Sequence, residues 1–170
     1  MGCGTGALAI AAKRQVERSG VVYGIDASPE MIARANKKAR KAGLEIDFTQ
    51  AAAQALPFPD GQLDVVLSTI MLHHLPRKAR EQCAREIRRV LKPGGRVLVV
   101  EFAEPVRKTG HLQLHPHRHG HVNLGEIVAT FGAAGLSIVD SGAVGFGNLQ
   151  FALGLADARV HPTLAEAAKS

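Results

Sequence analysis

At 170 residues, with 46% hydrophobic and 21% charged content, the chain has the length and balance of one globular domain with a sizeable core. No apolar run approaches the ~20 residues that span a bilayer, no charged-then-apolar leader opens the sequence, and two cysteines, Cys3 and Cys83, make neither a disulfide framework nor a zinc-ligand spacing, so a reducing cytoplasm is expected. A net charge of +6 raises nucleic acid or an anionic membrane as partners, but one Tyr and no Trp leave little to stack on bases, and the basic residues read better as solvated helix faces.

Met1-Gly2-Cys3-Gly4-Thr5-Gly6 is a glycine-rich loop. Without a Cβ, glycine allows positive φ and close approach of a ligand to the backbone. Ala7 to Glu17 reads as a helix opened by that loop, with Leu8, Ile10, Ala11 and Ala12 as its apolar content. Its first N–H groups would face an anionic or polar ligand group. Val21 to Asp26 is an apolar run ending in an acid. Asp26 lies 20 residues after Gly6, the spacing of an acid that binds ribose hydroxyls at the carboxyl end of the next strand.

Ser28-Pro29-Glu30 predicts a helix start, with Ser as N-cap, Pro in the first turn and an acid at the positive end of the dipole. Met31, Ile32, Ala35, Ala39 and Ala42 recur at helical spacing until Gly43 stops the helix, which carries Arg34, Lys37, Lys38, Arg40 and Lys41 outward. Leu44 to Phe48 alternates like a strand. Gln50 to Gln62 is a loop with Pro57, Pro59 and Asp60-Gly61. Leu63 to Ser68 is a largely buried strand.

Pro76 begins a second charged helix to about Leu91, with Ala79, Cys83, Ile87, Val90 and Leu91 inward. Arg77, Lys78, Arg80, Arg85, Arg88 and Arg89 form its solvated face. Lys92-Pro93-Gly94-Gly95 ends it, and Arg96 to Phe102 is a buried strand. Ala103 to Val122 is a long loop. Asn123 caps a helix to Ala134. Leu136 to Asp140 and Phe146 to Leu155, separated only by Ser141 to Gly145, predict an antiparallel hairpin. The last ~15 residues read as a frayed tail. Alternating helices and strands predict an α/β fold, a doubly wound, mostly parallel sheet with that hairpin at its C-terminal side.

Four stretches resemble the class I S-adenosylmethionine-dependent methyltransferases of the small-molecule, ubiquinone/menaquinone type. They are Gly2-Cys3-Gly4-Thr5-Gly6, Gly24 to Met31, Ala55 to Val66, and His73-His74-Leu75 followed by Leu91-Lys92-Pro93-Gly94-Gly95. The resemblance implies S-adenosylmethionine as cofactor. Gly2, Gly4 and Gly6 would form the loop under its methionine part, with Thr5 beside them. Asp26 would accept both ribose hydroxyls, Ala27 and Met31 would lie against the adenine, and Ser68 would border cofactor and substrate. The family's adenine-binding acid falls on Ala52, leaving Ala53 to offer a backbone N–H. The family's first strand, central in the order 3-2-1-4-5-7-6, would precede Met1. The chain is therefore expected to be an N-terminally truncated methyltransferase domain over residues 1–155, with a tail at 156–170.

Methyl transfer from a sulfonium is an in-line displacement that rests on positioning and desolvation. A base is needed only when the acceptor must lose a proton. His73 and His74 are the candidates, but the favoured reading has one in the core and one capping the next helix, so no catalytic residue is assigned. The alternating His115, His117, His119 and His121, after His111, could present a metal-binding face. A polar loop over the acceptor site is the favoured reading, and no metal is assigned. The expected partner is a small-molecule acceptor. Two alternatives stay open. Gly2-x-Gly4-x-x-Ala7 also satisfies a relaxed dinucleotide fingerprint of an NAD-dependent oxidoreductase, and a truncated chain could be a non-catalytic binding subunit.

Overall fold

The computed structural model describes residues 1–16, 20–103, 122–145 and 147–157. In chain order the elements are α1 (Ala7–Gln15), β1 (Tyr23–Asp26), α2 (Pro29–Lys41), β2 (Asp47–Gln50), β3 (Leu63–Thr69), a 3-10 turn (Leu72–His74), α3 (Arg77–Val90), β4 (Leu91–Phe102), α4 (Leu124–Ala133), β5 (Leu136–Ala143) and β6 (Leu149–Ala156). The expected alternation is present. The expected histidine series 111–121 and most of the tail lie outside the described residues.

The strands form two sheets, β1-β2 and β3-β4-β6-β5. β1 pairs with β2, and β3 with β4, in parallel. β6 runs antiparallel to both β4 and β5, which makes the predicted hairpin. The residues ahead of the first helix lie between the sheets. Met1 N donates to Leu67 O of β3 and Cys3 N donates to Ile25 O of β1, each at 2.8 Å. The resulting order, β2-β1, then residues 1–3, then β3-β4-β6-β5, follows the expected family order. Among the described residues, residues 1–3 stand at its centre. Tyr23 of β1 and Val65 of β3 are exposed.

Local chemistry explains most boundaries. Ser28 Oγ accepts from Met31 N, Pro29 occupies the first turn of α2, and Gly43 beyond its end has φ +65°. The strand expected from Leu44 begins only at Asp47, because the Leu44 N–H is spent on Ala39 O in closing α2. Asn123 Oδ1 accepts from Glu126 N and caps α4 as expected. Lys92 to Gly95 belongs to β4 rather than to a separate helix end: Leu91 already stands opposite Leu63, and a register shift before Val65, with Gly94 at φ +75°, absorbs the longer path.

The core lies between the larger sheet and its helices. Cys83, Ala84, Ile87 and Val90 of α3 and Ile127 and Phe131 of α4 bury against Val66, Val97 and Val99. Full burial of one such large side chain stabilises the fold by about 1.5–3 kcal/mol. In α1 the buried face is Ala9 and Ile10, and Leu8, part of its apolar content, is exposed. α2 buries little but Ala35 and Ala39, small residues that let it approach the glycine loop.

Candidate active site

The glycine loop folds back on itself through Gly6 N to Cys3 O, and Ile10 N then closes the first turn of α1 on Gly6 O. Gly6, at φ +79°, is the N-cap, and no side chain caps the helix. The three expected glycines do different work. A Cβ on Gly2 would fall 2.4 Å from Met71 Cγ, and one on Gly6 would fall 3.0 Å from both Ala35 Cβ and Phe48 Cζ. Gly2 and Gly6 are thus packed against protein. A Cβ on Gly4, at φ +50°, would meet no atom within 4 Å. At Gly4 the loop backbone faces open space.

Asp26 ends β1 directly beside Gly4. Its Oδ2 accepts from Gly4 N at 2.8 Å and its Oδ1 from Ser28 N at 3.0 Å. A carboxylate has about four lone-pair sites. Two hold the side chain in place, and these bonds leave the other two unspent. β2 leads its loop to the same point, since Ala51 N donates to Asp26 O and Gln50 Nε2 to Ala27 O. That brings Ala53 into the neighbourhood, half-buried, together with Ala27, Met31 and the exposed Ala52. Thr5 is exposed on the loop.

Ser68 lies on β3. It shares the β3 face of Val66, is fully buried, and its Oγ has no hydrogen-bond partner among the described residues. Just beyond it the chain bends sharply. Ile70 has φ +50°, a strained conformation for a β-branched residue. The turn that follows is bound by Glu101, whose Oε1 accepts from Met71 N and Leu72 N at 2.7 and 2.6 Å and whose Oε2 lies 2.8 Å from His73 Nδ1. His73 therefore anchors to a buried carboxylate, and His74 is exposed. Neither caps α3, whose N-cap is Pro76 with no side-chain bond.

Two groups were given no role from the sequence. Glu101 was nonetheless legible, because period-two alternation puts it on the core face with Val97 and Val99. The other is a strap across the loop after β2. Glu86 Oε2 accepts from Leu56 N, and Arg89 donates to Leu56 O, Phe58 O, Asp60 Oδ1 and Glu86. This overturns the solvated-face reading for part of α3. Arg80 bonds Leu75 O and Glu126, and Arg88 bonds Gly135 O and Asp157 O. These arginines sit where loops cross the helix and meet carbonyls that need donors. Hydrogen bonds from Arg89 hold the Glu86 carboxyl below its ordinary value, and those to Glu86 and Asp60 keep Arg89 charged. Burial raises the thiols of Cys3 and Cys83, the latter to about 12.

A cavity of about 610 Å³ lies near the start of β1 and β2, lined by Tyr23, Asn36, Asp47, Phe48 and Phe58 among others. Its lining includes neither a loop glycine nor Asp26, Ser68, His73 or Glu101. Open α/β sheets bind ligands at the carboxyl ends of their strands, which is where Gly4 and Asp26 stand and this cavity does not. Among the described residues no group of three or more His, Cys, Asp or Glu is placed to hold a metal.

Sheet order, loop and strand-end acid define a Rossmann-like α/β domain of the methyltransferase class. Residues 1–95 match the family described as "Methyltransferase domain", and the chain belongs to that family. Two curated relatives are similar to it. "Demethylmenaquinone methyltransferase" of Thermus thermophilus is 45% identical over 102 residues, covering 60% of this chain and 45% of that protein. "Ubiquinone/menaquinone biosynthesis C-methyltransferase UbiE" of Cronobacter sakazakii is 40% identical over 105 residues, covering 61% of this chain and 41% of that protein. The chain spans less than half the length of these relatives. Two solved structures share the fold. A SAM-dependent methyltransferase from Aquifex aeolicus matches with TM-score 0.78 at 22% identity, over 91% of this chain and 79% of that one. The [4+2]-cyclase SpnF matches with TM-score 0.78 at 22% identity, over 92% and 73%. The family match decides against the dinucleotide-dependent alternative.

Proposed function

We propose that the chain binds S-adenosylmethionine on the Gly2–Gly6 loop and transfers its methyl group to a small-molecule acceptor. The observation that carries this reading is Asp26, aimed by the Gly4 and Ser28 N–H groups with lone pairs to spare, beside the one loop glycine that faces open space. Asp26 holds the ribose diol, and Gly4, with Thr5 beside it, lies against the methionine part. Gly2 and Gly6 shape the loop by packing on Met71 and on Ala35 and Phe48. Ala27, Met31 and Ala53 flank the adenine, and Ser68 supplies a hydroxyl with bonding capacity unused. The bound cofactor supplies an electrophilic methyl on sulfur, so the protein's task is alignment and exclusion of water. With Ala52 where an acid would pair the adenine amino group, cofactor affinity is lower by roughly 0.5–1.5 kcal/mol.

The relatives' names make a reduced quinone the first acceptor to try. The test is calorimetric titration with S-adenosylmethionine, followed by incubation with menadiol and mass spectrometry for a 14 Da gain on the acceptor. Lack of cofactor binding at millimolar concentration defeats the proposal. Binding without transfer to menadiol or any other small acceptor favours the binding-subunit alternative.

A further inference from the structure

We propose that His73 is the general base for the methyl acceptor and that Glu101 is the residue that positions it. The proposal rests on the methyltransferase reading above. Glu101 is 1% exposed, at the carboxyl end of β4, and spends its carboxylate on one neighbouring turn. Oε1 takes the N–H groups of Met71 and Leu72, and Oε2 takes His73 Nδ1 at 2.8 Å. A carboxylate buried this deeply needs such bonds to be tolerated at all.

The turn it holds is strained. Ile70, a β-branched residue at φ +50°, is pinned by its N–H to Val100 O at 2.8 Å. Strain of this kind persists only where the surroundings enforce it, and it clusters at functional sites. Here β4 enforces it from two successive residues, Val100 and Glu101.

The turn also lies in the right place. β3 and β4 are parallel neighbours, with Thr69 opposite Val100, so the turn leaves the carboxyl end of the sheet where ligands bind. It abuts the glycine loop, because Met71 fills the space beside Gly2. The His74 ring lies 4.0 Å from that of His73, and the half-exposed Phe102 ring lies 5.9 Å away. His73 itself keeps 11% of its side-chain surface accessible. Among the described residues, the Glu101 carboxylate on β4 and the His74 ring on the same turn lie against it, and Arg80 of α3 ties the end of that turn through Leu75 O and reaches Glu126 of α4.

With Nδ1–H donating to Glu101, the imidazole carries its lone pair on Nε2. In the step, the acceptor's proton passes to Nε2 while the acceptor atom forms its bond to the methyl carbon. The carbon–sulfur bond breaks, and its electron pair stays on sulfur. The positive charge lost by the sulfonium then resides on the imidazolium of His73.

The test uses two substitutions in the full chain. Glu101→Gln is isosteric: its carbonyl can keep the Met71 and Leu72 N–H groups while its NH2 faces Nδ1, which forces the proton onto Nε2. His73→Gln removes the base outright. Long-range 1H–15N spectra at pH 8 are expected to show the Nδ1–H form of His73 in the wild type and the Nε2–H form in Glu101→Gln. With menadiol, kcat is expected to fall about 100-fold in both variants, with acceptor KM and the calorimetric Kd for S-adenosylmethionine unchanged. A wild-type His73 protonated on Nε2 at pH 8 overturns the proposal, as does His73→Gln with undiminished kcat. Failure of the wild type to bind S-adenosylmethionine removes the underlying reading, and the proposal with it, and is told apart by the titration alone.

Discussion

Replacing Gly4 by alanine separates ligand binding from folding in this loop. Gly4 sits at φ +50°, where an L-residue costs about 1–2 kcal/mol. The added methyl meets no atom within 4 Å, so no packing cost follows. For a chain of this length that loss lowers Tm by roughly 2–8 °C. On the proposed reading the cofactor approaches the backbone through the same open space, so Kd for S-adenosylmethionine is expected to rise at least about tenfold, equivalent to ~1.4 kcal/mol. Gly6→Ala behaves differently. Its methyl lands 3.0 Å from Ala35 Cβ and Phe48 Cζ at φ +79°, which adds about 1–3 kcal/mol of overpacking to the backbone strain. Thermal melts and calorimetric titrations of the two variants read both quantities. An unchanged Kd in Gly4→Ala, or a melt as low as that of Gly6→Ala, would refute the reasoning.

Asp26→Asn places an NH2 against either Gly4 N or Ser28 N, which both donate; loss of charge-assisted bonds is expected to weaken cofactor binding by about 1.5–3 kcal/mol, measured by titration. Arg89→Met removes the donors to Leu56 O, Phe58 O and Asp60; because the side chain is 31% exposed, the expected loss is about 2 kcal/mol in denaturant melts, with faster proteolysis between Leu56 and Gly61. The Glu86 carboxyl is held below its ordinary value, chiefly by Arg89; its contribution is therefore complete above the unfolded value of about 4.5 and lost as pH falls through the lower folded value. Melts from pH 6 to pH 3 should show wild type losing its advantage over Glu86→Gln in that acid range, and a constant difference contradicts the assignment. The buried Cys83 thiol, pushed up to about 12, is expected to resist iodoacetamide at pH 8 until the protein unfolds, which peptide mapping checks.

Sequence by itself determined the local grammar of this protein. Ser28-Pro29-Glu30 and Asn123 start helices because their side chains and fixed φ satisfy N–H groups a few residues away. The glycine loop, the acid at Asp26 and the hairpin were readable because each depends on neighbours in sequence or on a fixed spacing between them. Tertiary structure decided what those signals do. It divided the labour among three similar glycines, because only packing against Met71, Ala35 and Phe48 tells a glycine held against protein from one that faces open space. It turned Arg80, Arg88 and Arg89 from a solvated face into struts, because the carbonyls they meet come from Leu75, Gly135, Asp157, Leu56 and Phe58, some of them tens of residues away. It joined His73 to Glu101 across 28 residues through the parallel register of β3 and β4. Long-range pairing of that kind is set by which strand lies beside which, and no local pattern in the chain encodes it.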